Sequence, residues 1–189
     1  MRRIALAVVL FVALPLAADV RTRLVQGARS QVGVTRIYDS SYQQLRYPGG
    51  DVPPERGVCA DVVVRAFRNA GFDLQVLVHQ DMAAHFSAYP KNWGLSRPDA
   101  NIDHRRVPNL ATFFRRRGKS LAVTRRGADY QPGDVVTWRL PGVGLPHIGI
   151  VSDVREPGTD RYRMVHNIGA GAQLEDVLFE YEVTGHFRW

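Results

Sequence analysis

One cysteine stands in the chain, Cys59, and 88 residues later comes His147, followed by the pair His166-Asn167. A thiol, an imidazole and a polar group that fixes the imidazole's tautomer are the parts of a nucleophilic cysteine site. Cys59 opens an apolar pattern, Cys59, Val63, Phe67 and Ala70, that predicts a helix ending at Gly71. A cysteine at a helix start sits beside unpaired backbone N–H groups and the positive end of the helix dipole, which favours thiolate over thiol. His147 precedes the strand-like Ile148–Val151, so a loop-to-strand junction would aim its ring at that helix. His166 and Asn167 end the extended stretch Tyr162–Val165, and either one could orient His147. Each has a plainer reading too: Cys59 as a small buried hydrophobe, His166 as a strand cap, Asn167 as a turn residue before Gly169, and Asp61 as a first-turn acid complementing the helix dipole.

The elements that must carry these residues follow from periodicity. Val20, Leu24 and Ala28 predict a first helix to about residue 32. The stretch 33–58 is rich in glycine, proline and tyrosine and reads as ordered loop. Helices follow at 59–70, 74–88 and 107–117, with a polar loop between 89 and 106. Strands are expected at 121–124, 135–140, 148–151, 162–165 and 177–183, so helices come first and a largely antiparallel sheet second, an α+β class.

The chain has 189 residues, 45% hydrophobic and 23% charged, the proportions of one ordinary globular domain rather than a disordered or multi-span protein. Arg2 and Arg3, the apolar run 4–17 and the small residues Ala17-Ala18 read as a signal peptide over 1–18, leaving one domain at 19–189. That apolar run is short of the roughly 20 residues a spanning helix needs, and no stable membrane span is expected. In an exported protein a lone cysteine has no internal disulfide partner.

The net charge of +7 is carried by arginine, with Lys91 and Lys119 the only lysines. Such a surface favours anionic polymers, and export points to those of the bacterial envelope. Arg115-Arg116-Arg117 with Arg125 and Arg126 form the densest cluster, which reads either as a solvated helix end or as a dock for wall or outer-leaflet phosphate. Nucleic acid is not expected, since no aromatic-interleaved basic motif is present. No cofactor motif is found. A metal site from His79, Asp81, His85, Asp103 and His104 is disfavoured, because His79 and His85 are six residues apart and face different sides of a helix.

Tyr47-Pro48-Gly49-Gly50, Gly57-Val58-Cys59-Ala60-Asp61-Val62-Val63, Gln131-Pro132-Gly133-Asp134-Val135-Val136, His147-Ile148-Gly149-Ile150-Val151 and Val165-His166 occur in the order seen in NlpC-type cysteine peptidases, a papain-like superfamily of cell-wall enzymes, which the chain resembles from about residue 28 onward. The segments 57–61, 147–151 and 166–169 more closely resemble the YijF-like exported bacterial proteins, a family of undetermined function.

The superfamily resemblance implies a papain-like fold with the nucleophile helix packed on the sheet. It implies Cys59 as nucleophile, His147 as base then acid, His166 as the polar third member and Tyr47 beside the site. The activity it implies is cleavage of an amide bond in peptidoglycan from a Cys59 thiolate paired with a His147 imidazolium. The usual Asp-Cys-Ser-Gly is replaced by Val58-Cys59-Ala60-Asp61, and the long 59-to-147 interval suggests an insertion at about 74–110 covering the cleft. Two competing readings are acyl transfer or ester hydrolysis on a lipid or small acyl donor, and a non-catalytic cationic module that binds the envelope.

Overall fold

Leu24, Ala28, Val62, Val63 and Phe67 are buried together because two amphipathic helices lay their apolar faces against one sheet. A computed structural model of the chain describes residues 14–189, with side chains from residue 19. The export segment read at 1–18 lies outside the described residues, apart from the backbone of 14–18. There the first helix, α1 (Leu14–Arg29), already begins.

Two short parallel strands, β1 (Ile37–Tyr38) and β2 (Arg56–Gly57), tie the loop region together. Then come α2 (Cys59–Asn69), α3 (Leu74–Ala84) and α4 (Val107–Arg117). Single 3₁₀ turns at Phe86–Ala88 and Asp103–Arg105 lie between α3 and α4. Asp73 caps α3 by accepting the Gln75 N–H, and Pro108 in the first turn of α4 needs no partner for a missing donor.

The C-terminal half supplies β3 (Lys119–Ser120), β4 (Val135–Arg139), β5 (Pro146–Arg155), β6 (Tyr162–Asn167), β7 (Ala172–Glu175) and β8 (Glu182–Arg188). They form one antiparallel sheet in the order β3-β8-β4-β5-β6-β7. The class is α+β. The helical layer packs α2 on the central strand β5, over Ile148 and Ile150, and on Val165 of the neighbouring β6. The opposite face carries a smaller cluster around Tyr130, Trp138, Met164 and Leu178. Among the described residues, no helix is long and apolar enough to cross a membrane.

Two expected strands are displaced. Leu121–Thr124 is not a strand: β3 ends at Ser120, and only the Leu121 N–H continues the pairing, to the His186 carbonyl. Val177–Val183 mostly forms a turn that buries Val177 and Leu178 under Trp138, whose Nε1 donates to the Leu178 carbonyl at 3.0 Å. The strand there starts only at Glu182. An apolar run is buried in either case, so periodicity alone does not separate a strand from an apolar turn. β7 went unforeseen because Ala172-Gln173-Leu174-Glu175 is short and mixed.

Candidate active site

Gly57 fixes the backbone that leads to Cys59. Its φ of +156° lies in a region glycine favours, and a Cβ there would meet the Asp61 side chain at 3.0 Å. The room is used by Asp61, whose Oδ2 accepts the Val58 N–H at 2.7 Å, the backward half of a capping box. Arg105 grips the same carboxylate through Nε (2.8 Å) and Nη2 (3.0 Å), and its remaining donors reach the Ser41 and Asp39 carbonyls. Asp61 is thus the buried post that holds the start of α2 and the 39–41 loop together, a larger task than complementing the dipole.

Cys59 heads α2 with 5% of its surface exposed, and the sulfur lies within reach of the Ile148 backbone N–H. His147, 2% exposed, is the second residue of β5. Both line one cleft of about 610 Å³ between the α2 start, the 38–42 loop, the 102–108 segment and the 140–147 hairpin. The two residues that the sequence pairs for chemistry therefore meet at one surface.

The structure separates His166 from Asn167. His147 Nε2 is 2.9 Å from His166 Nδ1, and His166 Nε2 is 3.0 Å from Glu175 Oε2. A carboxylate only accepts, so His166 carries its proton on Nε2 and presents a bare Nδ1, which accepts from His147 Nε2–H. His147 Nδ1 is left as a free lone pair for a thiol proton. Asn167 serves elsewhere: its Nδ2 donates to the Gly57 carbonyl at 3.0 Å and locks the backbone before Cys59. Gly149 pairs with His166 across β5 and β6, and a Cβ there would stand 2.8 Å from the Val165 carbonyl oxygen, so glycine lets the two histidine-bearing strands close.

Sequence reasoning missed Glu175. It lies on the unforeseen β7, diagonal to His166, where cross-strand side chains on one face meet. Glu175→Gln leaves a side chain that can donate as well as accept, and so loosens the tautomer of His166. For the hydrolysis proposed below, turnover is expected to fall about 10-fold with little change in KM, as for an interaction that acts in the transition state. Steady-state kinetics on both proteins measure this.

Tyr47 is not at the site. It is anchored on α3 instead, because the Gly49 N–H donates to Asp73 Oδ2 and the Gly50 N–H to Gln75 Oε1, and its ring packs edge-on against His79 at 5.3 Å. The tyrosines on the cleft are Tyr38, at the end of β1, and Tyr42, whose hydroxyl is held by Asp99 and Asn101. All three belong to the same glycine- and tyrosine-rich loop, and the β1–β2 pairing together with the anchoring of Gly49 and Gly50 selects among them.

The charge state also departs from expectation. Burial pushes the Cys59 thiol up to about 12, outweighing the amides at the helix start, and the Asp61 carboxylate adds to the rise. Burial, with His166 adding to it, pulls His147 down to about 3. The resting pair is therefore neutral thiol and neutral imidazole, not thiolate and imidazolium. Burial, reinforced by Cys59 and Asp61, raises the Tyr38 phenol to about 12, so it stays a hydrogen-bond donor.

Buried neutral histidines make the fold acid-sensitive. His104 is also buried, and desolvation lowers it to about 4. The unfolded chain takes up the proton near 6.5 and the folded one resists it, so stability held above pH 6.5 is lost as pH falls toward the folded value. His104 and His147 should each remove about 2 kcal/mol between pH 7 and pH 5. Urea unfolding at the two pH values, with His104→Gln recovering about half of the loss, checks this.

The segment 74–110, read as an elaboration, contributes Trp93, Ile102, Arg105, Arg106, Val107 and Pro108 to the cleft wall. In the basic cluster, Arg116 is tied to Asp81 at 2.7 Å, whereas the Arg117 and Arg126 side chains are mostly exposed.

Residues 25–189 match the family model described as "Domain of unknown function (DUF1287)". The chain is 56% identical to "Uncharacterized protein YijF" of Escherichia coli (strain K12) over 173 residues, covering 91% of this chain and 83% of that protein. No solved structure matches. The family match spans the described chain from residue 25 to 189, every strand of the sheet included, and on that basis the chain belongs to the DUF1287, or YijF-like, family.

Proposed function

We propose that the protein is an exported cysteine hydrolase of papain-like, NlpC-type architecture that cleaves an amide bond in bacterial peptidoglycan. The observation that carries this reading is the shared cleft of Cys59 and His147, with the ring of His147 oriented by His166 and, behind it, Glu175. The order of motifs along the chain and the seating of the cysteine helix on the antiparallel sheet support the architecture.

In the proposed reaction the Cys59 thiol gives its proton to His147 Nδ1 as the sulfur attacks the substrate carbonyl carbon. The oxyanion is stabilised by the Cys59 backbone N–H and the Tyr38 hydroxyl. His147 then passes the proton to the leaving amine as the C–N bond breaks, giving an acyl-enzyme. Water, deprotonated by the same nitrogen, attacks this thioester, and the proton returns to sulfur as the acid departs. A neutral starting pair suits a closed cleft, where a resting ion pair would carry a heavy desolvation cost.

Tyr38→Phe is expected to lower turnover by about 10²-fold or more, the scale of one lost oxyanion donor. Tyr47→Phe should stay within about twofold of wild type, since Tyr47 lies outside the cleft. Purified protein incubated with peptidoglycan and labelled muropeptides tests the function itself. New amine ends should appear with wild type and not with Cys59→Ala, and equal release from the two proteins would refute the reading.

A further inference from the structure

Among the described residues, two arginines line the cleft that holds Cys59, and each is ion-paired with a buried carboxylate, tightly for Arg105 and loosely for Arg106. Arg105 is spent on Asp61 through two bonds. Arg106 sits 3.5 Å from Asp103 Oδ1 and lays its guanidinium 4.1 Å above the Trp93 ring. Among the described residues that line the cleft, both guanidinium groups thus have a carboxylate within 4 Å, despite the net charge of +7. The remaining wall is largely apolar, and Trp93, Leu145 and Ile168 expose large hydrophobic surfaces where it opens. A carboxylate placed against this wall would lose hydration without gaining a free cation, whereas an aliphatic group gains by leaving water.

We infer that the group filling the cleft beside Cys59 is an uncharged aliphatic one, and that the carboxylates of an envelope substrate remain outside it. This deepens the hydrolase reading above and rests on it for the chemistry. Its volume, about 610 Å³, is that of a small-molecule site and accommodates a short chain.

The single cysteine permits a direct test on the intact protein. Alkylation of Cys59 by N-hexyl iodoacetamide and by iodoacetate is followed by intact mass, each rate divided by that for glutathione with the same reagent. The normalised ratio should favour the hexyl reagent by at least about 10-fold, the effect of one or two buried methylenes in a pocket. Leu145→Arg, at a side chain 58% exposed in the hairpin before His147, should lower that ratio at least about fivefold by adding a free cation. A normalised ratio at or below one, a thiol that neither reagent reaches, or a ratio unmoved by Leu145→Arg in a folded variant would each overturn the inference. Selective labelling without amide release from peptidoglycan would defeat the hydrolase reading and leave the cleft assignment standing. Release with a ratio at or below one would do the reverse.

Discussion

Cys59→Ala should lose amide-hydrolase activity by about 10⁴-fold or more while keeping its fold, because the substitution removes one buried sulfur and leaves every hydrogen bond of Asp61, His166 and Asn167 in place. His147→Asn should lose a similar factor, since no other described side chain is placed to take the thiol proton. The double variant should be little worse than either alone, as residues that act in one step are not additive. Comparing kcat/KM for the three proteins, with circular dichroism to establish folding, decides the matter. Separate, additive losses would mean that the two residues do not act together.

Arg105→Met should destabilise the fold by about 3–5 kcal/mol, because it leaves the Asp61 carboxylate buried with only the Val58 N–H for company. Neither side chain of the pair exposes more than a few per cent of its surface, so water does not replace the lost partner. The Asp39 and Ser41 carbonyls would also lose their donor, and the 38–42 side of the cleft would loosen. Asp61→Leu on the Arg105→Met background should recover part of the loss, since an apolar pair removes the orphaned charge. Urea midpoints and m-values measure both. A cost under about 1 kcal/mol for Arg105→Met would show that the pair behaves like a surface salt bridge.

What the sequence made legible was mostly local. The helix opened by Cys59, the one stopped before Gly118 and the strand after His147 all lie where periodicity and punctuation place them. That Cys59 and His147 line one cleft was legible as well, through residue type and motif order. The missing parts depend on contacts distant in sequence. Tyr38 rather than Tyr47 reaches the cleft because β1 pairs with β2 while Gly49 and Gly50 are held by α3. Glu175 meets His166 through a four-residue strand too short to announce itself. The charge state was misjudged for the same reason: a helix start favours thiolate locally, but the sheet packed over it removes the water that thiolate needs.

Asp134 shows how a motif serves structure alone. In Gln131-Pro132-Gly133-Asp134 the carboxylate accepts from the Gln131 N–H, and it also holds Arg188 at two points and His186 at 2.8 Å. It clamps the chain end to β4 and lies on the face away from Cys59's cleft, against Tyr130, whose ring stacks on His186. Within one ordered set of motifs, some residues build the sheet and others line the cleft where the start of central strand β5 faces α2.

The central claim is that Cys59 becomes covalently acylated during turnover. Acid quenching of the protein during reaction with muropeptides, followed by intact mass and peptide mapping, should show an adduct of acyl mass on Cys59 that hydroxylamine removes. Turnover that proceeds with unmodified Cys59, at a rate that Cys59→Ala retains, would contradict it.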